Sequence, residues 1–263
     1  MSALQGVFTL SEFHTRMLPD SAQQKAFVTP NAMDPHHFTI DTIPKRIETR
    51  FIYASAPNRG LEELLRIWPV IYERLEQRED VELVVYYGFT KAFMKWGKAN
   101  MQNFETWMSN MRELLNQKGV RYVGMVDQST LSRAYLESGF ALYPTSFPET
   151  GCVALMKAQA LGAIPVTSRY ENSTLPELTM QWDLGPPAAS GRIRDDPDRL
   201  LAFADAVVRA ASGDCSLGGS NFVGKDCISR HRSSMMKYAQ EKFRWSHVAK
   251  LWMSAIDSNV GWL

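Results

Sequence analysis

The sequence predicts an α/β protein built on a doubly wound parallel sheet, with helices closing its C-terminal end. Three observations carry that expectation. Short apolar runs at 50–54, 81–87, 120–123, 140–142 and 163–166 alternate with segments of helical period. The runs end at punctuating residues: the Ser55–Gly60 loop, Gly88, Gly124, and Pro144 with Pro148. Residues 152–161 are apolar nearly all round and are stopped by Gly162, as for a helix buried on most sides against a sheet.

The elements follow in order. Gly6-Val7-Phe8-Thr9-Leu10 reads as a strand, Ser11 caps a short helix reaching Leu18, and Ala26-Phe27-Val28 reads as a second strand before Thr29-Pro30-Asn31. So short a piece has little to pack against, so Val7, Phe8 and Leu10 are expected to be partly exposed. Residues 35–48 read as a linker and 49–190 as the main domain. Leu61, Leu64, Leu65, Trp68, Ile71, Tyr72 and Leu75 recur at helical spacing, with Pro69 as an expected kink. The segment 91–117 is expected to end in a helix with Trp107, Met111, Leu114 and Leu115 inward, and Ser129 to start another. Residues 171–177 look like a short helix start. Residues 191–263 read as C-terminal helices, interrupted by a Gly- and Ser-rich loop at 212–226 and a break near Arg244-Trp245-Ser246.

Composition excludes several classes. The formal net charge of +1 is not that of a dedicated nucleic-acid binder. The three cysteines, Cys152, Cys215 and Cys227, show no metal-ligand spacing. Their odd number suggests no disulfide framework, so a reducing, cytoplasmic location is expected. The histidines form no chelating pattern either. No apolar run reaches the ~18 residues of a membrane span, and residues 1–6 lack the features of a signal peptide. The basic cluster of Arg230, His231, Arg232 and Lys237 reads as a solvated helix face, so membrane contact would be at most peripheral. No G-x-G-x-x-G follows the first strand of the main domain, which argues against a dinucleotide oxidoreductase.

The chemistry concentrates in residues 139–168. In parallel sheets ligands bind at the carboxyl ends of the strands. The mouth of the 152–161 helix, where Thr150, Gly151 and Cys152 offer backbone N–H groups, suits a phosphate. Glu149 beside it would repel that phosphate, so it fits better as an acceptor for hydroxyls on an uncharged part of the ligand. The plain structural alternative is that Glu149 caps the helix. A phosphate next to a hydroxyl-rich group suggests a nucleotide sugar.

Here the chain resembles glycosyltransferase family 4, of the GT-B fold, in its C-terminal donor-binding half, which is Rossmann-like. The family's signature is a Glu, seven residues, a second Glu, then a small-residue helix end, Gly and a Pro-containing strand. Glu149 matches the first position, and Lys157 stands at the second, in Lys157-Ala158-Gln159-Ala160-Leu161-Gly162. Arg59-Gly60 matches the basic-Gly pair that holds the donor diphosphate. The resemblance implies that Glu149 contacts the donor sugar. Lys91 or Lys95, after the second strand, is a candidate second cation, with a plain exposed lysine as the alternative, and Gly124, after the third strand, is either a place where a base approaches the backbone or a plain turn glycine. Lys has donors only, so Lys157 cannot accept from ribose hydroxyls as a Glu would; binding phosphate or pairing with Glu177 are its alternatives. Residues 1–34 resemble the end of the family's N-terminal acceptor domain and its interdomain strand.

The resemblance implies a retaining, metal-independent glycosyltransferase that moves a sugar from a nucleotide sugar to an acceptor hydroxyl, with Glu149 and Arg59 nearest the chemistry and no cofactor. The sequence identifies neither the donor nor the acceptor. The chain would act as a donor half, with the acceptor domain upstream or on a partner chain. A non-catalytic nucleotide-sugar-binding domain is the alternative.

Overall fold

A computed structural model describes residues 5–34, 44–216 and 226–257. Its centre is a five-stranded, wholly parallel sheet of β3 (Ile47–Ser55), β4 (Glu82–Tyr87), β5 (Val120–Gly124), β6 (Ser138–Tyr143) and β7 (Ile164–Thr167). The spatial order is β5-β4-β3-β6-β7. Chain order therefore reverses between β3 and β6. That reversal is the topological switch point of a doubly wound sheet, as the sequence predicts.

Helices α3 (Leu61–Arg74), α4 (Lys91–Asn100), α5 (Phe104–Leu115), α6 (Gln128–Glu137) and α7 (Val153–Leu161) connect the strands. α3 packs with α5, and α6 with α7, as right-handed crossovers on opposite faces require. Alternation along β3 sorts its side chains: Phe51 and Tyr53 join the larger core with Leu64, Trp68 and Phe140, while Ile52 joins a smaller one with Val84, Tyr135 and Ala158. The pattern of α7 is met in full, since Leu155 to Leu161 are all buried. Later come α8 (Leu175–Thr179), α9 (Pro197–Ala211), α10 (Cys227–Lys242) and α11 (Trp245–Asp257).

The N-terminal piece is a small parallel unit. β1 (Val7–Thr9) pairs with β2 (Ala26–Val28), and between them lie α1 (Glu12–Arg16), capped by Ser11, and α2 (Asp20–Gln23). Val7, Phe8 and Leu10 are half-buried, and Phe8 stacks on Trp252 of α11 with ring centroids 4.3 Å apart.

The 91–117 segment ends in a helix as expected, α5, with α4 before it and Asn103 between them in a left-handed conformation (φ 55°). Other expectations are corrected. In the second helix Phe104, Met108, Met111 and Leu115 are buried, while Trp107 and Leu114 are only partly so. Trp107 sits at the rim because its ring N–H donates to Glu62 Oε2 at 2.6 Å. Cys215 and Cys227 are joined as a disulfide, their Cα atoms 6.1 Å apart, because an odd count still allows one pair. Lys157 does not pair with Glu177, whose carboxylate instead accepts from the Glu12 and Phe13 N–H groups at the start of α1, at 3.1 and 3.0 Å. The helix read at 171–177 forms later, at Leu175–Thr179. β3 opens at Ile47, so its first two residues fall in the stretch read as linker; 35–43 and 217–225 lie outside the described residues.

Candidate functional site

Two loops meet at the switch point: residues 55–60 after β3 and residues 144–152 after β6. Gly60 has φ +97°, and a Cβ there would lie 2.5 Å from the Pro144 carbonyl oxygen. Only glycine permits this backbone contact, which holds the two loops together.

Across that junction, Glu149 is 3% exposed. Each of its carboxylate oxygens lies 2.9 Å from Arg59 Nη1. Tyr143, the last residue of β6, donates its hydroxyl to Glu149 Oε1 at 2.5 Å. With that proton committed, Ser55 Oγ, 3.1 Å away, must donate to the Tyr143 oxygen. The Arg59 guanidinium carbon lies 4.2 Å from the centroid of the Phe147 ring. The Thr174 N–H donates to the Glu149 carbonyl at 2.7 Å and pins the loop from the far side.

Electrostatics follows from this packing. Burial opposes the charge on Arg59, but the Glu149 carboxylate and Tyr143 outweigh it, and the guanidinium pKa is raised. Burial drives the Tyr143 phenol well above its ordinary value. It also pushes the Cys152 thiol up to about 12, so this cysteine is neutral near pH 7 and is no nucleophile. Cys152 is the N-cap of α7 and no side chain caps that helix, so Glu149 does not cap it.

A cavity of about 270 Å³ opens here. Of the sequence-predicted residues, Arg59, Glu149, Gly151 and Cys152 line it, with Val153 and Ala154 of the first turn of α7. The others lie elsewhere. Gly60 is in the loop junction. Thr150 turns its carbonyl to Ser11 Oγ at 2.7 Å. Lys91 is exposed at the start of α4, and Gly124 ends β5 with φ +83°. Lys157 is buried on α7 and donates to the side-chain oxygen of Gln128; burial lowers its pKa.

Sequence reasoning missed Tyr143, Ser55, Phe147 and Tyr87. Tyr143 carried a signal: a tyrosine ending a fully buried strand needs a partner for its hydroxyl. Tyr87 also lines the cavity and has φ 76°, a strained conformation for a residue with a side chain.

No protein-family model and no curated protein matches the sequence. Solved structures do match the fold. TarM from S. aureus, in complex with Fondaparinux, alpha-GlcNAc-glycerol and UDP, aligns with a TM-score of 0.64 at 12% identity, over 96% of this chain and 44% of TarM. The GtfA/B complex aligns at 0.65 and 15% identity, over 97% and 45%. HepE from Anabaena, with UDP and glucose, aligns at 0.65 and 11% identity, over 97% and 63%. The protein thus has the Rossmann-like fold found in GT-B glycosyltransferases and spans less than two thirds of each of these chains. Among the described residues, no helix is long and apolar enough to cross a membrane.

Proposed function

We propose that this chain is the donor-binding half of a glycosyltransferase, of the family 4 type, with a nucleotide sugar as its substrate. The observation that carries the reading is the Arg59–Glu149 pair at the switch point, beside the uncapped mouth of α7. Glu149 occupies only the Nη1 end of Arg59. A guanidinium has further N–H donors, so a diphosphate would take them while the first turn of α7 supplies backbone N–H groups. Once Arg59 turns toward phosphate, Glu149 is left as an acceptor for sugar hydroxyls, held in place by Tyr143. Arg59 and the α7 dipole would then stabilise charge developing on the departing diphosphate. The reading requires neither a metal nor a general base within this half, and retention of configuration is the stereochemistry that goes with it.

The acceptor site would be completed by another domain or another chain. The partial coverage of the compared structures, one of them the GtfA/B complex, favours this arrangement. Calorimetry with a panel of nucleoside diphosphates tests donor binding, which Arg59→Ala should weaken at least tenfold. Glu149→Ala should weaken nucleotide-sugar binding more than nucleoside-diphosphate binding. Equal losses for the two ligands would remove Glu149 from the sugar contact. The isolated chain should transfer no sugar until its complement is added; robust transfer by the monomer would overturn the half-enzyme reading.

A further inference from the structure

A second cavity, of about 360 Å³, lies beside the same loop. Ala56 and Arg59 line the donor cavity, whereas Pro57 and Asn58 of the same loop line this one. Phe147, whose ring carries the Arg59 guanidinium, is part of its wall. The two cavities are thus neighbours across one loop and one aromatic ring.

Its walls combine the aromatic rings of Trp96, Trp107 and Phe147 with the charged Glu62, Glu63 and Arg194. Trp96 of α4 and Trp107 of α5 stand on one side, and Trp96 is 44% exposed. Trp107 is fixed by Phe93 and Phe104, with ring centroids 5.9 and 6.0 Å away, and Phe93 packs on Trp96 at 5.8 Å. These indoles belong to a preformed aromatic cluster whose outer member opens to solvent. Beside them, Glu62 and Glu63 begin α3. Glu62 Oε1 is held by Arg66, and its Oε2 accepts from Trp107. Glu63 is nearly buried and pairs with Arg194 Nε at 3.0 Å, while the Arg194 side chain is half exposed.

The charge balance selects the ligand. Glu62 is paired with Arg66 and Glu63 with Arg194, of which Arg194 alone lines the cavity, so both carboxylates are already neutralised and the pocket attracts neither a phosphate nor a cation strongly. A flat apolar wall facing fixed carboxylate and guanidinium groups suits a ligand with an apolar face and a rim of hydroxyls. We propose that this cavity is a saccharide subsite, taking a neutral pyranose unit of the acceptor glycan against Trp96, with its hydroxyls donated to Glu63 and accepted from Arg194. The assignment of that glycan as acceptor rests on the glycosyltransferase reading; the binding itself does not.

The test uses the full chain and separates the two. Neutral gluco-, galacto- and manno-configured oligosaccharides are titrated while tryptophan fluorescence is followed, and uridine diphosphate is titrated in parallel by calorimetry. At least one sugar series should bind saturably, and Trp96→Ala, an exposed position, should weaken it at least tenfold without changing nucleoside-diphosphate affinity. Glu63→Gln should weaken the glycan several-fold and again spare the nucleotide. Absence of binding across the panel, glycan binding unaltered by both variants, or loss of nucleotide affinity in Trp96→Ala would each overturn the subsite. Loss of nucleotide binding in Arg59→Ala with glycan binding intact would leave it standing; failure of uridine diphosphate to bind the unmodified chain would count against the donor reading alone.

Discussion

The two ends of α7 are built on opposite plans. At its C-terminus Gly162 turns left-handed (φ +85°), and two arginines take the free carbonyls: Arg46 Nη2 donates to Leu161 at 3.0 Å and Arg232 Nε to Gly162 at 2.8 Å. Arg46 also reaches the Tyr135 carbonyl, and Arg232 is clamped by both oxygens of Glu48 at 2.9 and 2.5 Å. Cations at a helix C-terminus oppose its dipole, and here protein groups fill the demand. At the N-terminus no side chain caps the helix, and Arg59 and Glu149 bond each other in the wall of the cavity there. One end is finished by the protein. The other has hydrogen-bonding capacity that a ligand can use, which is where a binding site is expected to differ from a structural joint.

Substitutions should separate the two ends. Arg232→Ala removes a charge-assisted carbonyl bond and the Glu48 pair at a site where the Arg232 side chain is only 10% exposed. It should lower stability by about 3 kcal/mol in urea titrations and leave nucleoside-diphosphate affinity within twofold. Arg59→Ala strands a buried carboxylate with Tyr143 as its remaining partner. It should cost about 2 kcal/mol, less than the lower joint, yet lose at least tenfold in nucleoside-diphosphate affinity. The reverse pattern, with binding lost at Arg232 and kept at Arg59, would invert the comparison.

A smaller effect reports on the packing that holds the lower end. His231 is fully buried on α10, with Nε2 3.0 Å from the Trp182 carbonyl and Arg232 and Asp183 nearby. Burial lowers its pKa below 6.5. Above 6.5 both folded and unfolded chains carry it neutral, and its contribution is fully present. As pH falls below 6.5 the unfolded chain gains a proton that the folded chain resists, so stability drops until the folded pKa is passed. The slope is at most about 1.4 kcal/mol per pH unit. His231→Gln should flatten the stability profile between pH 6.5 and 5, measured as thermal midpoints; an unchanged slope would assign it to other groups.

The fold was legible because it depends on local periodicities. Alternation of apolar runs with helical patterns, punctuated at Gly88, Gly124 and Gly162, specifies strands and helices in order, and parallel order then restricts the topology. The candidate site was legible one residue at a time. Glu149 stands out as a carboxylate beside a helix mouth suited to phosphate, and Arg59 through the Arg59-Gly60 pair that resembles the family's diphosphate-holding loop. Their pairing was not legible, since they are ninety positions apart in chain and the contact depends on how two loops leave neighbouring strands. Tyr143 follows the apolar run 140–142, and although a buried tyrosine needs a partner for its hydroxyl, only the structure identifies that partner as Glu149. The aromatic cavity at Trp96 was not legible either, because helical spacing alone does not distinguish an indole that faces inward from one at a pocket rim.

The smallest expected effect lies between the two ends of α7, at Lys157. It is 9% exposed and its ammonium meets Gln128, a residue that is itself exposed. Losing that bond leaves Gln128 to water, so Lys157→Met should change stability by less than ~1 kcal/mol near pH 7. Burial lowers the pKa of Lys157. In the window between its folded pKa and about 10.5 the unfolded chain binds the proton more readily, so stability should rise with pH there in the unmodified protein and not in Lys157→Met. Affinity discriminates its role. Lys157 stands one turn into α7 and Glu149 in the loop before it, so in the donor reading Lys157 falls on the ribose side of the site. A lysine offers that ribose only donors, so its removal should alter nucleoside-diphosphate affinity by less than about threefold. A tenfold loss would mean that the ammonium holds phosphate, and that the ligand-facing part of α7 extends beyond its first turn. Lys157→Glu sharpens the point: a carboxylate there can accept both ribose hydroxyls, and a gain in affinity over the unmodified chain would place the ribose beside α7, with Lys157 as the weaker of two possible partners for it.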